Sequence, residues 1–548
     1  MTRRPIRTFS QALAVIGLTA AVTLACGDDR GATDDDSTGD IANGTTGART
    51  TGGETTGAAS TGPGTSGDTT QTGDSTGGAE PGPAAGIQFA MIDVNQGVAI
   101  ELARDGTAVP PTSVLIDNRP LIMRATWVVE DSWEPREIEA RLAWHLPDGS
   151  ERTYSSVLSI AGSRAEDDPL AATFSWVVEP QFVVADTSFS VTLWETALGS
   201  DSSIEIEDVQ RFPESGTQAL PVDAVPRALN LVLVPFEYDV PGCHTVLEPS
   251  DEAVERLAEY LYMLLPVSRI DIQVLDSTRI DEPISTHEQI LNNVVSRRGA
   301  AAPASGTFFL GVIDLCEPID AGGSAFRLMT PPTAAEDPLR ALWVRWRPDD
   351  PDRTHYVLGH ELGHSLGRRH VRCPDTAPAK IEPSFPNFEG RFDLPGWGVV
   401  DEVWRDPSTH FDIMSYCAPA WISGWGWNQL EPVIEAITTW STQDQEAPRG
   451  EALVGMRGPD GTVERWTRVQ GYTNSPPTEG DELSQTVRAE IILGNGRRAV
   501  VAAHVRPVTE SQYTAVVVPL PAETPPTLTL VLREEGLAHR SYSVDEAG

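Results

Sequence analysis

Basic residues are scarce in this chain: 40 Lys and Arg stand against 79 Asp and Glu, a formal net charge of −39 over 548 residues. A surface of that sign repels phosphate backbones and anionic lipid headgroups, which excludes nucleic-acid binding and electrostatic attachment to a membrane. So much acid reads as a solvated coat that keeps an exported protein soluble. Cysteine is rarer, with five residues, and no two are spaced CxxC, which argues against a four-thiolate zinc site. Internal repeats are lacking. What remains is ample: 40% hydrophobic residues can build real cores, and the length suggests roughly three domains.

The N-terminus carries an export signal. Arg3, Arg4 and Arg7 form a positive region before the apolar run 12–25, which is too short to span a bilayer. The run ends Thr23-Leu24-Ala25-Cys26-Gly27, which resembles the lipobox of bacterial lipoproteins, with Thr23 where Leu is usual. The resemblance implies lipidation at Cys26 and a protein exported to the cell surface or outer membrane, touching the membrane through the lipid alone; ordinary cleavage with free release is the alternative. Four further cysteines, Cys243, Cys316, Cys373 and Cys417, read as two disulfides with three possible pairings. The expected pairs are Cys373–Cys417, which flank the motifs below, and Cys243–Cys316.

Composition divides the rest. Residues 27–86 are almost all Gly, Thr, Ser, Asp and Ala, a disordered linker with nothing to offset the entropy of folding. In 87–222, Ile138, Ala140, Leu142, Trp144 and Leu146 alternate with polar residues, and Phe189, Val191 and Leu193 alternate with Ser188, Ser190 and Thr192; such runs predict a β-sandwich. In 227–445 strands and helices alternate, one helix being marked by Val254, Leu257, Leu261 and Leu264 and stopped by Pro266, an α/β arrangement. In 448–548 Gly458-Pro459-Asp460-Gly461 and Asn495-Gly496 mark hairpin turns of a C-terminal β-domain.

One segment of the middle region carries chemistry: His360-Glu361-Leu362-Gly363-His364-Ser365-Leu366-Gly367-Arg368-Arg369-His370. On a helix His360 and His364 lie one turn apart on one face, so both imidazoles reach one ion, with Glu361 beside the first. Gly367 can end the helix at positive φ and swing His370 back as a third ligand. Three neutral imidazoles leave a tetrahedral zinc one open position for water, the catalytic rather than the structural pattern. Five fixed letters at fixed spacing arise by chance on the order of 10⁻⁵ times in such a chain, so surface or core histidines are a poor explanation.

HExxHxxGxxH is the zinc signature of the metzincin endopeptidases, which this segment resembles. That family has a methionine turn beneath the metal, and Asp412-Ile413-Met414-Ser415-Tyr416-Cys417 follows His370 by roughly forty residues. The resemblance implies that Met414 forms the turn and that Tyr416 reaches the zinc and the reaction's oxyanion. It spans less than half the chain, about 227–440, and Val371 follows His370 where several subfamilies carry Asp. It implies a metzincin-like α/β catalytic domain between the two β-domains, one zinc ion, protein or peptide substrates, and a monomer; calcium is admissible but not indicated. Zinc-activated water would attack the peptide carbonyl with Glu361 as general base. Segment 322–328 is a candidate substrate-binding edge strand and 418–421 a candidate pocket wall, while Trp421, Trp425 and Trp427 read better as core. The competing expectations are a surface adhesion or binding lipoprotein whose metal site is silent, and a zymogen that is inactive until a pro-segment leaves.

Overall fold

The computed structural model describes residues 7–9, 82–164, 168–196, 209–316, 319, 321–374, 381–443, 450–472, 486–533 and 539–545. Cys26, the apolar run before it and the linker up to residue 81 lie outside them. Strand predominates, in several sheets, with four α-helices among the described residues.

The first region consists of two antiparallel sheets. One runs Phe174–Val178, Leu121–Val129, Ile87–Asn95, Ala99–Arg104, Thr107–Ala108; the other is built on Ser188–Glu195, Arg136–His145 and Glu151–Ile160. Strand alternation decides which side chains meet: Ile138, Ala140, Leu142 and Trp144 are fully buried and share one core with Phe174, Phe189 and Leu121 from both sheets.

In the middle region Ala228–Val240 lies between parallel strands Arg269–Val274 and Phe308–Ile313, and Ala341–Arg345 continues the parallel order. Phe308–Ile313 is buried at every position, as expected of a strand covered on both faces. Helices α1 (Asp251–Leu264), α3 (Pro351–Ser365) and α4 (Gly424–Gln443) supply the core on one face; α2 (His287–Ala301) covers the other. Ser250 caps α1 by accepting from the Ala253 amide. Gly323–Ala325 forms the sheet's edge, antiparallel to Ala341–Arg345. At the opposite edge Arg7–Phe9, from the segment read as an export signal, pairs with Arg269–Val274.

The last region is a seven-stranded antiparallel sheet, with Gly461 and Gly496 at positive φ in two of its turns. Its Ala452, Val454 and Val517 join the α2 face of the middle sheet in one core. Strands Arg498–Pro507 and Thr514–Leu520 form a hairpin whose tip, 508–513, reaches the edge strand Gly323–Ala325. Arg506, fully buried at the base of that hairpin, is paired with buried Glu336 of the middle region.

Arg119 fixes the first region on the second. Its buried guanidinium donates to the carbonyls of Gln96, Met263, Leu265 and Val267 at 2.8–3.2 Å, taking up acceptors at the C-terminal end of α1. It also lies over the rings of Tyr262 and Trp427.

Candidate metal centre

Helix α3 starts where Asp350 accepts from the Arg353 amide and Pro351 occupies the first turn. Leu358 and Leu362 face the core, so the helix must turn His360, Glu361 and His364 toward the hairpin tip. The helix closes by two bonds, Gly367 N–H to the His364 carbonyl (2.8 Å) and Arg368 N–H to the Gly363 carbonyl (2.9 Å). Gly367 takes φ 90°, and a Cβ there would lie 2.4 Å from Thr330 Cγ2, so glycine is required twice over. The reversal returns His370 to the two helix histidines, and Val371 is held by its N–H bond to the Met414 carbonyl (2.8 Å).

His364 Nε2 lies 3.2 Å from His360 Nε2 and 3.1 Å from His370 Nε2. The far nitrogens fix the tautomers: His360 Nδ1 faces the Ile413 carbonyl at 2.9 Å and His364 Nδ1 the Arg368 carbonyl at 2.8 Å, so both carry the proton there. Their Nε2 lone pairs then point at one another with no hydrogen between them. That arrangement is repulsive unless a cation stands between the lone pairs. Four donors around a tetrahedral zinc would be roughly 3.3 Å apart, close to the spacings found. The residues fit a metal ion, and burial together with the neighbouring imidazoles keeps the two helix rings neutral: His360 is lowered to about 4 and His364 well below its usual value.

A fourth donor was not expected. Glu510 of the hairpin tip places Oε1 2.8 Å from His370 Nε2 and 3.9 and 4.0 Å from those of His360 and His364. A carboxylate of the chain itself therefore joins the three histidines as a possible fourth donor. Nothing in the sequence around Thr509-Glu510-Ser511 marks it, because only the pairing of two distant segments brings it there. Burial alone would raise the Glu510 carboxyl, but hydrogen bonds from His370 and Tyr416 outweigh this and hold it below the usual range.

Glu361 is buried, and a Cβ on Gly323 would come within 2.9 Å of its Cγ, so the edge strand passes directly over it. Burial, then the charge of Glu510, pushes its carboxyl well above the ordinary value. Its Oε2 accepts from Thr509 Oγ1 at 3.1 Å. Tyr416, partly exposed, has its hydroxyl 3.2 Å from His370 Nε2 and donates to Glu510 Oε2. Met414 is buried, and its Sδ is 2.4 Å from where a Cβ on Gly363 would stand, so the turn packs against the helix between His360 and His364. Asp412 accepts from the Met414 amide at 2.9 Å and from Ser423, and the Tyr356 hydroxyl donates to the Ser415 carbonyl at 2.6 Å.

Cysteines pair as Cys373–Cys417 and Cys243–Cys316, with Cα separations of 5.6 and 5.8 Å. The first ties the segment after His370 to the end of the methionine turn. Trp421 and Trp427 are buried in the core, Trp421 donating to the Gly97 carbonyl at 2.7 Å; Trp425 is half-buried between Phe385 and Arg368. Asp223, Glu431 and Glu435 also converge, but on the Arg227 guanidinium, which pairs with all three.

No family model and no curated protein matches the chain. Among solved structures, a Bacteroides fragilis protein described as a beta-galactosidase aligns at 8% identity and a TM-score of 0.14, covering 84% of this chain and 72% of its own. A superposition of that quality carries no argument about fold or function.

Proposed function

We propose that the chain is a zinc-dependent endopeptidase of the metzincin type. The observation that carries the reading is the convergence of three imidazole Nε2 atoms beside a buried carboxylate and under a sheet edge. His360, His364 and His370 would hold the ion, which when bound supplies Lewis acidity to polarise a peptide carbonyl and acidify water. Glu361, held away from solvent, takes the proton from the attacking water and returns it to the departing amine as the C–N bond breaks. The water oxygen ends in the new carboxyl group. Tyr416 donates its hydroxyl to the carbonyl oxygen as negative charge develops there. Backbone groups of the edge strand Gly323–Ala325 align an extended peptide by strand addition.

The two disulfides point to an oxidising compartment, consistent with export. Among the described residues no helix is long and apolar enough to cross a membrane. Anchoring through lipid at Cys26 is part of the proposal.

One observation favours a second reading. A shell of four protein donors is the pattern of structural rather than catalytic zinc, so Glu510 suits a surface binding protein whose metal site is silent. Zinc per chain and cleavage of casein or a peptide library, compared with the Glu361→Ala variant, test the proposal. One zinc in both proteins with cleavage lost in the variant supports it. Equal turnover removes Glu361 from the chemistry, and a chain that takes up no zinc removes the assignment.

A further inference from the structure

The tip of the C-terminal hairpin meets every working part of the site just described. Its backbone lies on the sheet edge: Thr509 N–H donates to the Ala325 carbonyl (2.9 Å), Arg327 N–H donates to the Pro507 carbonyl (3.2 Å), and Phe326 and Val508 form an antiparallel bridge. The Ala325 amide donates to Thr509 Oγ1 (2.8 Å). These are the groups an extended peptide would need from an edge strand, and they are already engaged. The Thr509 hydroxyl caps Glu361, and the Glu510 carboxylate stands at the three imidazoles and takes the Tyr416 hydroxyl. Glu510 does so at φ 57°, a left-handed conformation unfavourable to a side-chain-bearing residue, which persists only where surrounding contacts over-determine it. Those contacts include the buried Arg506–Glu336 pair at the hairpin's base and the Ser511 hydroxyl on Glu288 of α2.

We infer that the C-terminal β-domain holds the site latent, with residues 507–510 lying on the edge strand in the manner of a substrate and Glu510 serving as a displaceable fourth ligand of the metal. This rests on the zinc-peptidase reading. A peptide cannot pair with Ala325 and Arg327 while the tip does, so opening requires the tip to leave the edge strand. Beside it, a cavity of about 730 Å³ lined by His364, His370, Tyr416, Glu288 and Tyr513 shows that the tip blocks the reacting centre without filling the space around it.

The test uses the full chain loaded with Co(II) in place of zinc, titrated with a short peptide hydroxamate and followed by the visible absorption of the metal. Wild type is compared with Glu510→Gln, which removes the anionic ligand, and with Glu510→Gly, which also relieves the positive φ and so should fold at least as well. Expected is a changed cobalt spectrum in both variants and hydroxamate binding at least tenfold tighter than in wild type. Equal hydroxamate affinity in all three chains overturns the inference. Loss of cobalt from both variants also overturns it, because Glu510 is then a permanent structural ligand. Glu361-dependent casein cleavage by wild type as fast as by the variants overturns latency but leaves the peptidase intact. Tight hydroxamate binding by the variants without any casein cleavage keeps the gate and removes the peptidase.

Discussion

Glu510 Oε1 stands 2.8 Å from His370 Nε2, although 140 residues separate the two. One belongs to the reversal after helix α3, the other to the tip of a hairpin in a separate sheet. A carboxylate in that place does two things at once: it offers a negative charge to whatever cation the imidazoles hold, and it raises the proton affinity of Glu361 beside it. The electrostatics around the three histidines are therefore set in part by a region outside the segment His360–His370.

Gly367→Ala tests how the third histidine is delivered. The substitution meets both a positive φ and the Thr330 methyl, so destabilisation of roughly 1–3 kcal/mol is expected, with zinc affinity falling at least tenfold as His370 shifts. Thermal unfolding and competition with a zinc chelator measure the two effects. Unchanged affinity would mean that His370 is positioned by other contacts.

Replacing Cys373 and Cys417 together by Ala opens a loop with a sequence separation of 44. Chain entropy alone puts the cost at about 4 kcal/mol. Because Cys417 follows Tyr416 directly, the methionine turn should loosen as well, read as faster amide exchange at Val371, whose N–H bonds the Met414 carbonyl. Exchange at wild-type rates would show that the turn is held without the disulfide.

His504, in the strand that leads to the hairpin tip, has its imidazole lowered to about 4 by burial and by the charge of Arg506. Between about 4 and the ordinary value of 6.5 the unfolded chain binds the proton and the folded chain does not. Stability is thus fully present above 6.5 and declines as pH falls toward 4, by roughly 2–3 kcal/mol from this ring. Melting curves of wild type and His504→Gln from pH 7.5 to 4.5 check this: wild type should lose more, and parallel profiles would exclude His504 as the cause.

Much of this was readable from local pattern. Ile138, Ala140, Leu142 and Trp144 alternate because a strand shows every second side chain to the core, and all four are buried. The spacing of Val254, Leu257, Leu261 and Leu264 marked α1, and all are buried on it. His360, His364, Gly367 and His370 lie so close in sequence that helix geometry and one glycine bring them together. The pairing of Cys373 with Cys417 followed from their flanking the same chemistry. Glu510 was not readable: its role comes from a hairpin docking on a distant sheet edge, and a lone Glu after Thr carries no period or spacing. The carboxylate beside the three histidines was missed for the same reason. Arg119 was equally hidden, since four carbonyls from two regions define it and none is visible as a side chain.

Arg119→Met keeps bulk and removes the donors. Four buried carbonyl groups lose a partner, so a loss of roughly 3–5 kcal/mol is expected, with the first region and helix α1 unfolding at lower denaturant than wild type. Denaturant titration followed by tryptophan fluorescence measures it, and a midpoint unchanged from wild type would show that apolar packing alone joins the regions.

X-ray absorption of the zinc-loaded full chain most directly tests the central claim of a single ion gathered by His360, His364 and His370. Expected is a four-coordinate nitrogen and oxygen shell near 2.0 Å with multiple scattering from three imidazoles. That signature should fall to two imidazoles in His370→Ala. A spectrum of zinc surrounded by water or carboxylate oxygens, or a wild-type signature unaltered by His370→Ala, would contradict it.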